Sequence, residues 1–274
     1  MLKTLFMHNP ADLLKTVSLD NYAKNNIADY QTIASIPQTN IDYLNSRLAV
    51  TSAESAFASC NKVTSIPVSK LDMSKCTNMS GMFAECNSIT SLDVGSWDTS
   101  KTKNMGRMFD ECNSLNSLDV SNFDFSNCGN TWSMFYHCQS LKTLDTKNWQ
   151  MSSVSDASYM FSSCSSLVDI DTSNWHIHSL RNARNMFFYC SSLKRLDISS
   201  WNTSNVTNMY YMFALCSSLT EIVGTIDMSR CTDCTDMFSY CSNLRGVHLK
   251  NVPKSLDITN IGGDANTYII DNYI

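Results

Sequence analysis

The sequence predicts an α/β solenoid, in which a short helix and a short strand alternate within each of about eight stacked units. Two observations predict it. The dipeptide Met-Phe, with a Cys three residues further on, recurs seven times at a step of 26 residues that is shortened once to 25, and one step further back Phe57 and Cys60 mark an eighth unit. Within a unit, the spacing of apolar residues changes once, from helical to strand-like. A fixed period between about 20 and 50 residues is typical of proteins built from stacked repeats.

The composition fits one continuous core and argues against two classes of function. The chain has 274 residues, 43% of them hydrophobic and 16% charged, with a net charge of −5. No Lys/Arg cluster is interleaved with aromatic residues, so no nucleic-acid partner is expected. No apolar run approaches the ~20 residues of a membrane-spanning helix, so no membrane span is expected. The apolar run after Met1 is too short for a signal peptide, and no surface anchor is recognisable, so either the chain is not exported by that route or a leader has been removed.

The chain divides into three parts. Residues 1–49 lie outside the repeat register and are predicted to form an N-terminal cap or an attachment segment, because a stack of repeats exposes an apolar end that must be covered. The predicted solenoid domain covers residues 50–251. Residues 252–274 leave the register at Pro253, and Tyr268 to Ile274 is prone to form a strand. That terminal strand either closes the sheet as a C-terminal cap or pairs with a partner or a second copy.

Each unit of the solenoid is predicted to contain one helix of about three turns. The apolar residues of one such helix are spaced three, three, one and three apart: Val206, Met209, Met212, Phe213 and Cys216. A Ser stands just before this pattern in most units, where its hydroxyl can cap the first turn. The strand comes from the segment in which two apolar residues are two apart, as Leu118 and Val120 are.

Aromatic residues and cysteines recur at fixed positions and are predicted to lie in the core. The corner between strand and helix is aromatic in five units: Trp97, Phe123, Trp149, Trp175 and Trp201. Eight of the twelve cysteines share one repeat position, and the other four stand where other units carry Val, Leu, Met or Thr. Such positions are apolar, so the core is expected rather than disulfides or a metal site. This includes Cys231 and Cys234, despite their zinc-like spacing.

The unit from Leu193 to Cys216, LKRLDISSWNTSNVTNMYYMFALC, resembles the 26-residue leucine-rich repeat of the BspA-like surface proteins, LxxLDxSxWdTSxVtnMxxMFxxC. The resemblance extends from Val50 to Leu249. It implies a right-handed leucine-rich-repeat horseshoe with a parallel β-sheet on its concave side and short helices on its convex side. It also implies a cell-surface or secreted protein that serves binding and adhesion, while similar repeats occur in phage-encoded proteins. The family implies no shared catalytic residues.

One acidic position recurs on the predicted strand, between the two inward-facing residues. Five consecutive units carry it: Asp93, Asp119, Asp145, Asp171 and Asp197. Carboxylates on strands ~4.8 Å apart repel one another. Each Asp is therefore expected either to accept hydrogen bonds from backbone amides or the following Ser, or to belong to a concave acidic strip that binds Ca²⁺ or a cationic ligand. Asp169 would extend such a strip and Arg195 would partly neutralise it; no other cofactor is expected.

The sequence favours a non-enzymatic recognition or adhesion protein that binds a protein or glycan on a host or cell surface. No Gly-rich phosphate loop, no G-x-S-x-G motif and no pairing of a nucleophile with a base is recognisable, and His176 and His178 have no third ligand at a diagnostic spacing. The alternative is a structural or receptor-binding component of a phage virion, with the solenoid as decoration or tip. The non-repeat ends would then attach the protein to the particle or to a second copy.

Overall fold

The strands form where an apolar residue at a fixed repeat position is buried and its polar neighbour is exposed. The structure is a computed structural model and describes residues 50–69 and 71–274. Those ranges contain nine strands and no helix: β1 (Ser91–Leu92), β2 (Ser117–Leu118), β3 (Thr143–Leu144), β4 (Asp169–Ile170), β5 (Arg195–Asp197), β6 (Glu221–Val223), β7 (Thr225–Asp227), β8 (Val247–Lys250) and β9 (Tyr268–Ile270). Accordingly, that part of the chain offers no helix able to cross a membrane.

All of the strand pairs are parallel. β1 pairs with β2, β3 with β4, and β5 with β6, while β8 lies between β7 and β9. Buried residues stand opposite each other across the pairs, as Leu92 does to Leu118 and Leu144 to Ile170. The predicted parallel solenoid is confirmed, but its strands form four short sheets instead of one continuous sheet. The right-handed curvature implied by the resemblance stays a prediction.

Backbone bridges extend the register beyond the strands. They join one position per coil of the chain: Ser52, Asn78, Asn104, Asn130, Asp156, Asn182, Asn208 and Asp233. The side chain at this position accepts the amide N–H of the residue two further on, as Asn78 does from Ser80 at 3.0 Å. Strands start 26 residues apart from β1 to β6 and again at β8, and no strand lies in the described residues before β1. Eight complete units of a helix and a strand are therefore not found in the described part of the chain.

The predicted helices are wrong, because the segment from each bridge to the following Cys is a series of tight turns. In one coil, alternate amides donate to carbonyls of the next coil at 2.7–2.9 Å: Met79, Gly81, Phe83 and Glu85. The amides of Met82, Ala84 and Cys86 donate to the carbonyl three residues back at 3.0–3.2 Å. A helix uses its amides for its own carbonyls four residues back, so bonding to the next coil excludes it.

The Ser residues predicted as helix caps have a different partner. Ser100 donates its amide N–H to the Asp98 side chain at 2.9 Å, and Ser204 donates its amide to Asn202 at 3.1 Å. An Asp or Asn side chain that accepts from the amide two residues on makes a local turn. The corner residues therefore close turns rather than start helices.

Two positions in each coil, four residues apart, have a left-handed backbone. Gly81 and Glu85 have φ of +61° and +63°. In the other coils, neither position is glycine: Ser55, Ser59, Arg107, Glu111, Ser133, His137, Tyr159, Ser163, Asn185, Tyr189, Tyr211, Leu215, Asp236 and Tyr240. This conformation costs a non-glycine residue about 1–2 kcal/mol. The hydrogen bonds between coils hold these residues in it.

The core consists of ladders of identical residues, as predicted. Consecutive Phe rings of the Met-Phe position stack with centroids 5.3–6.0 Å apart from Phe57 to Phe238. Trp149, Trp175 and Trp201 form a second stack at 5.6–5.8 Å. The predicted aromatic wall is therefore confirmed as core.

The cysteines are core residues too. All twelve are buried and none forms a disulfide. Seven of them donate Sγ–H to the Phe carbonyl of the preceding coil at 2.9–3.2 Å: Cys86, Cys112, Cys138, Cys164, Cys190, Cys216 and Cys241. Each of these thiols thus fills space and satisfies a carbonyl at the same time.

Residues 252–274 pack onto the last coil. The Phe238 amide donates to the Ile261 carbonyl at 2.9 Å, and Ile261 is buried in the core. β9 pairs with β8 on one side; its role as a cap or as a pairing edge stays a prediction. The predicted N-terminal cap or attachment segment, residues 1–49, lies outside the described residues.

Candidate functional site

The five predicted Asp residues form a row along the coils, immediately after the buried strand residue. Asp93, Asp119, Asp145 and Asp171 are exposed and Asp197 is half-buried. Oδ1 of three of them accepts both the amide and the hydroxyl of the Ser two residues on, at 2.6–3.1 Å: Asp119, Asp171 and Asp197. Asp145 accepts the Lys147 amide at 3.3 Å. The expected intramolecular hydrogen bonds are thus present at four of the five positions, whereas Asp93, with Gly95 two residues on, makes none in the described part of the chain.

Cations also lie in this row. Arg195 approaches Asp197 at 3.5 Å and Glu221 at 2.9 Å, and Lys147 lies 3.4 Å from Asp145. Asp169 is exposed on the strand β4, opposite Thr143 of β3. Arg195 therefore offsets part of the acidic charge of this row.

Hydrogen bonding stabilises the ionised form of two of these carboxylates. Bonds from the hydroxyl and amide of Ser121 lower the pKa of Asp119, and those of Ser199 do the same for the pKa of Asp197. Within residues 50–69 and 71–274, no group of three or more His, Cys, Asp or Glu side chains is arranged to hold a metal ion. A cationic ligand on this row stays a prediction.

A second candidate surface lies on the turn segments. We call it the turn face, and it comprises the side chains outside the core in residues 78–86, 104–112, 130–138, 156–164, 182–190, 208–216 and 233–241. The core positions of these segments repeat, whereas the outward positions differ from coil to coil. Aromatic residues are frequent among the outward positions: Trp132, Tyr136, Tyr159, Phe188, Tyr189, Tyr210, Tyr211 and Tyr240.

Several of these aromatic side chains reach into solvent. Tyr240 is 76% exposed, Tyr189 45% and Trp132 40%. Tyr159, Tyr189, Tyr211 and Tyr240 stand at left-handed positions, with φ of 54–61°. Glycine or asparagine suits that backbone better, and an exposed ring buries little apolar area. Neither backbone preference nor core packing explains tyrosine at the two exposed positions, Tyr189 and Tyr240.

Arginines join the aromatic side chains of the turn face. The Arg184 guanidinium lies 4.5 Å from the Tyr210 ring centroid and 5.9 Å from that of Tyr159. Arg107 lies 5.9 Å from the Trp132 ring. Such contacts hold long side chains in fixed positions. The face therefore presents ordered aromatic and cationic groups.

One carboxylate lies almost buried beneath the turn face. Asp110 is 3% exposed, and its Oδ2 receives a 2.5 Å hydrogen bond from Arg107. Its Oδ1 has no hydrogen-bond partner in the described part of the chain. Burial raises the pKa of Asp110, although the Arg107 bond and charge oppose this.

Sequence reasoning did not find the turn face, because it assigned these segments to helices whose outward residues carry no special meaning. The available signal was tyrosine at two non-core repeat positions that lie four residues apart within the unit: Tyr159 and Tyr211 occupy the first, and Tyr189 and Tyr240 the second. Cys231 and Cys234 are buried, as predicted. The His176 and His178 rings stack with centroids 6.1 Å apart at a corner.

The chain is similar to known repeat proteins in its sequence and in its fold. Residues 51–170 and 164–261 match the family described as "Mycoplasma protein of unknown function, DUF285". Among solved structures, the chain is similar to a leucine-rich repeat protein from Bacteroides ovatus, with 20% sequence identity, a TM-score of 0.44 and coverage of 81% of this chain. The chain spans 62% of the length of that protein. No curated protein matches the chain.

Proposed function

The chain belongs to the DUF285 family of BspA-like repeat proteins, and we propose that it is a non-enzymatic recognition protein whose turn face binds a protein or glycan at a cell surface. The observation that carries the proposal is tyrosine at left-handed positions outside the core, half-buried at Tyr159 and Tyr211 and exposed at Tyr189 and Tyr240. Each costs about 1–2 kcal/mol in backbone strain. A side chain that weakens folding without filling the core is expected to serve a contact with another molecule.

The composition of the turn face supports recognition. Trp, Tyr and Arg supply most of the binding energy in protein interfaces. Tyrosine offers a large contact area with little conformational entropy to lose. The stacked coils hold these groups on a rigid support, which is how repeat proteins present broad binding surfaces.

Surface display is part of the proposal and draws on the family resemblance. The proposal that the protein is not an enzyme is supported by the cysteines, since all twelve thiols are buried. The virion role considered from the sequence has no observation in its favour, so it is not proposed.

A binding experiment tests the proposal. Labelled protein is titrated onto cultured epithelial cells and onto immobilised mucin, fibronectin and fibrinogen. We expect saturable binding to at least one of these, weakened at least tenfold in the double variant Trp132→Ser/Tyr189→Ser. Two hydrophobic contacts at an interface centre are worth about 1.4 kcal/mol or more, which is tenfold in affinity.

The matched control is Tyr273→Ser, because Tyr273 is 51% exposed and lies outside the turn face. This variant should bind as the wild type does. Equal affinity of the double variant and the wild type would contradict a role for the turn face. Thermal unfolding of all three proteins checks that the fold is unchanged.

A further inference from the structure

The turn face ends in a pocket, which we call the end pocket. Its volume is about 480 Å³, and its lining includes Tyr211, Asp236, Ser239, Tyr240, Gly262 and Asp264. Small-ligand sites have volumes of about 300–1,000 Å³. The end pocket is therefore large enough for a side chain or a small headgroup.

Two glycines allow the far wall of the pocket to lie against the last coil. Gly262 has φ of +83°, and a Cβ there would be 2.5 Å from the Ser239 nitrogen. Gly263 has φ of +78°, and a Cβ there would be 2.7 Å from the Thr267 hydroxyl. The loop is held further by the Asp264 carboxylate, which accepts the Asn266 amide at 2.9 Å. The wall is thus built into the fold.

The lining combines aromatic rings with negative charge. Tyr240 presents a 76% exposed ring at a left-handed position with φ of +61°. The neighbouring Asp236 carboxylate raises the pKa of Tyr211 to about 12, with a smaller contribution from Tyr210. The Tyr211 phenol therefore stays neutral, and the carboxylate supplies the charge.

The lining residues carry two carboxylates and no cationic side chain. Arg245 lies outside the lining and pairs with Asp264 at 3.5 Å, where both side chains are about half exposed. Exposed pairs of this kind contribute little, so a competing cation can replace this one. Negative charge in a cleft attracts cations, and the face of a tyrosine ring binds ammonium groups within about 6 Å.

We propose that the end pocket binds an alkylammonium group, either a lysine side chain of a protein partner or a quaternary ammonium headgroup. The Tyr240 ring packs on the alkyl part of the cation, and Asp236 and Asp264 balance its charge. The inference rests on the proposed recognition function and adds a site and a ligand chemistry to it.

Ligand-observed NMR tests this directly on the whole chain. Saturation transfer is measured to choline and to Nα-acetyl-lysine methylamide, with methyl glucoside as a neutral probe of similar size. We expect saturable transfer to at least one ammonium probe and none to the glucoside. The tighter of the two ammonium probes identifies the source of the group. Transfer to the glucoside alone would overturn the proposal in favour of a sugar site, and transfer to no probe would also overturn it.

Variants locate the binding. Tyr240→Ser should weaken ammonium binding at least tenfold, whereas Tyr240→Phe, which keeps the ring, should bind within about twofold of the wild type. Asp236→Asn should weaken binding as well. Tyr273→Ser is the matched control, because it removes an exposed tyrosine that lies outside both the turn face and the pocket. Loss of binding in that control, or retention in Tyr240→Ser, contradicts the proposed site.

The results separate this inference from the proposed function. Cell-surface binding that depends on Trp132 and Tyr189, without ammonium binding, overturns the end pocket alone. Ammonium binding that depends on Tyr240, without cell-surface binding, leaves the end pocket standing and overturns the broader turn-face proposal.

Discussion

The thiol of Cys164 combines burial with a hydrogen bond, and this determines what a cysteine can do at that position. It is fully buried, and Sγ donates to the Phe135 carbonyl at 3.1 Å. Burial raises the pKa of Cys164 to about 12, as it does for Cys112. Such a thiol is almost entirely protonated at neutral pH and is a poor nucleophile. The cysteine ladder therefore packs rather than reacts.

We expect Cys112 and Cys164 to resist alkylation in the folded protein. Iodoacetamide near neutral pH should label both at least about 10³ times more slowly than in guanidinium-unfolded protein, because three pKa units lower the thiolate fraction by that factor. Peptide mass mapping over a time course measures the two rates. Rapid labelling of either thiol in folded protein would place this repeat position outside the core.

Asp110→Asn should stabilise the protein at neutral pH. Burial raises the pKa of this carboxyl in the folded state, despite the contribution of Arg107. The folded state then binds the proton more readily than the unfolded state, so stability falls as pH rises from the unfolded pKa of about 3.9 through the folded value. The penalty is absent at lower pH, where both states are protonated.

Thermal unfolding of wild type and variant across this pH range measures the effect. The difference in Tm should be small at about pH 3 and should favour Asp110→Asn increasingly towards pH 7. Glu111→Gln removes the same charge from a side chain that is only partly buried, and it serves as the control. A variant that is less stable than the wild type at pH 7 would show that the Arg107 ion pair outweighs the burial.

At the scale of elements, Gly224 makes the link between β6 and β7 possible. Its φ is +112°, and a Cβ would lie 2.9–3.0 Å from backbone atoms of Ile198 and Ser199 in the preceding coil. Gly129, by comparison, has no atom within 4 Å of such a Cβ. Backbone atoms cannot move aside as the end of a flexible side chain can. An added Cβ is therefore expected to be tolerated at Gly129 and not at Gly224.

Gly224→Ala should therefore lower the free energy of unfolding by about 2 kcal/mol or more, while Gly129→Ala should change it by less than about 1 kcal/mol. Urea unfolding followed by circular dichroism gives both values. Equal losses of unfolding free energy in the two variants would mean that the neighbouring coil does not constrain the backbone at Gly224.

The turn segments show how far the sequence could predict the elements. The Phe, Trp and Cys ladders follow from the period alone, because equal positions of successive coils come together. The helices could not be excluded, since an apolar spacing of three and four residues suits a helix and also suits turns with left-handed residues four apart. The turns are favoured over the helix because amides such as that of Phe83 bond to carbonyls of the next coil. The sequence of a single coil does not reveal these bonds.

Of the two candidate sites, one could be predicted from the sequence and the other could not. The Asp–Ser hydrogen bonds of Asp119 and Asp171 are local, between residues two apart, so their sequence predicted them. The end pocket brings Tyr211 and Asp264 together through the fold of the last coil and the Gly262 loop. Tyr211 and Asp264 are far apart in the sequence, and no local pattern relates them. The sequence therefore did not predict the end pocket.

At the scale of the whole molecule, each coil depends on both neighbours, because it stacks on them through shared ladders. Met160→Asp should disrupt the array, since Met160 is fully buried in the hydrophobic core and a carboxylate there would be buried among apolar side chains. We expect a loss of at least about 3 kcal/mol, and less than about 1.5 kcal/mol for the control Met160→Leu. Urea unfolding measures both, and an unchanged midpoint in the Asp variant would contradict the repeat register.

The amides of the turn segments, such as those of Met79, Gly81 and Phe83, bond along the direction in which the coils stack. Tension applied to the two ends of the solenoid therefore pulls along these bonds and peels coils away one at a time. Each released coil of 26 residues adds about 90 Å of extended chain. In a force spectrometer the protein should lengthen in equal steps, and between two anchored surfaces it would act as an extensible tether that limits the load on its own contacts.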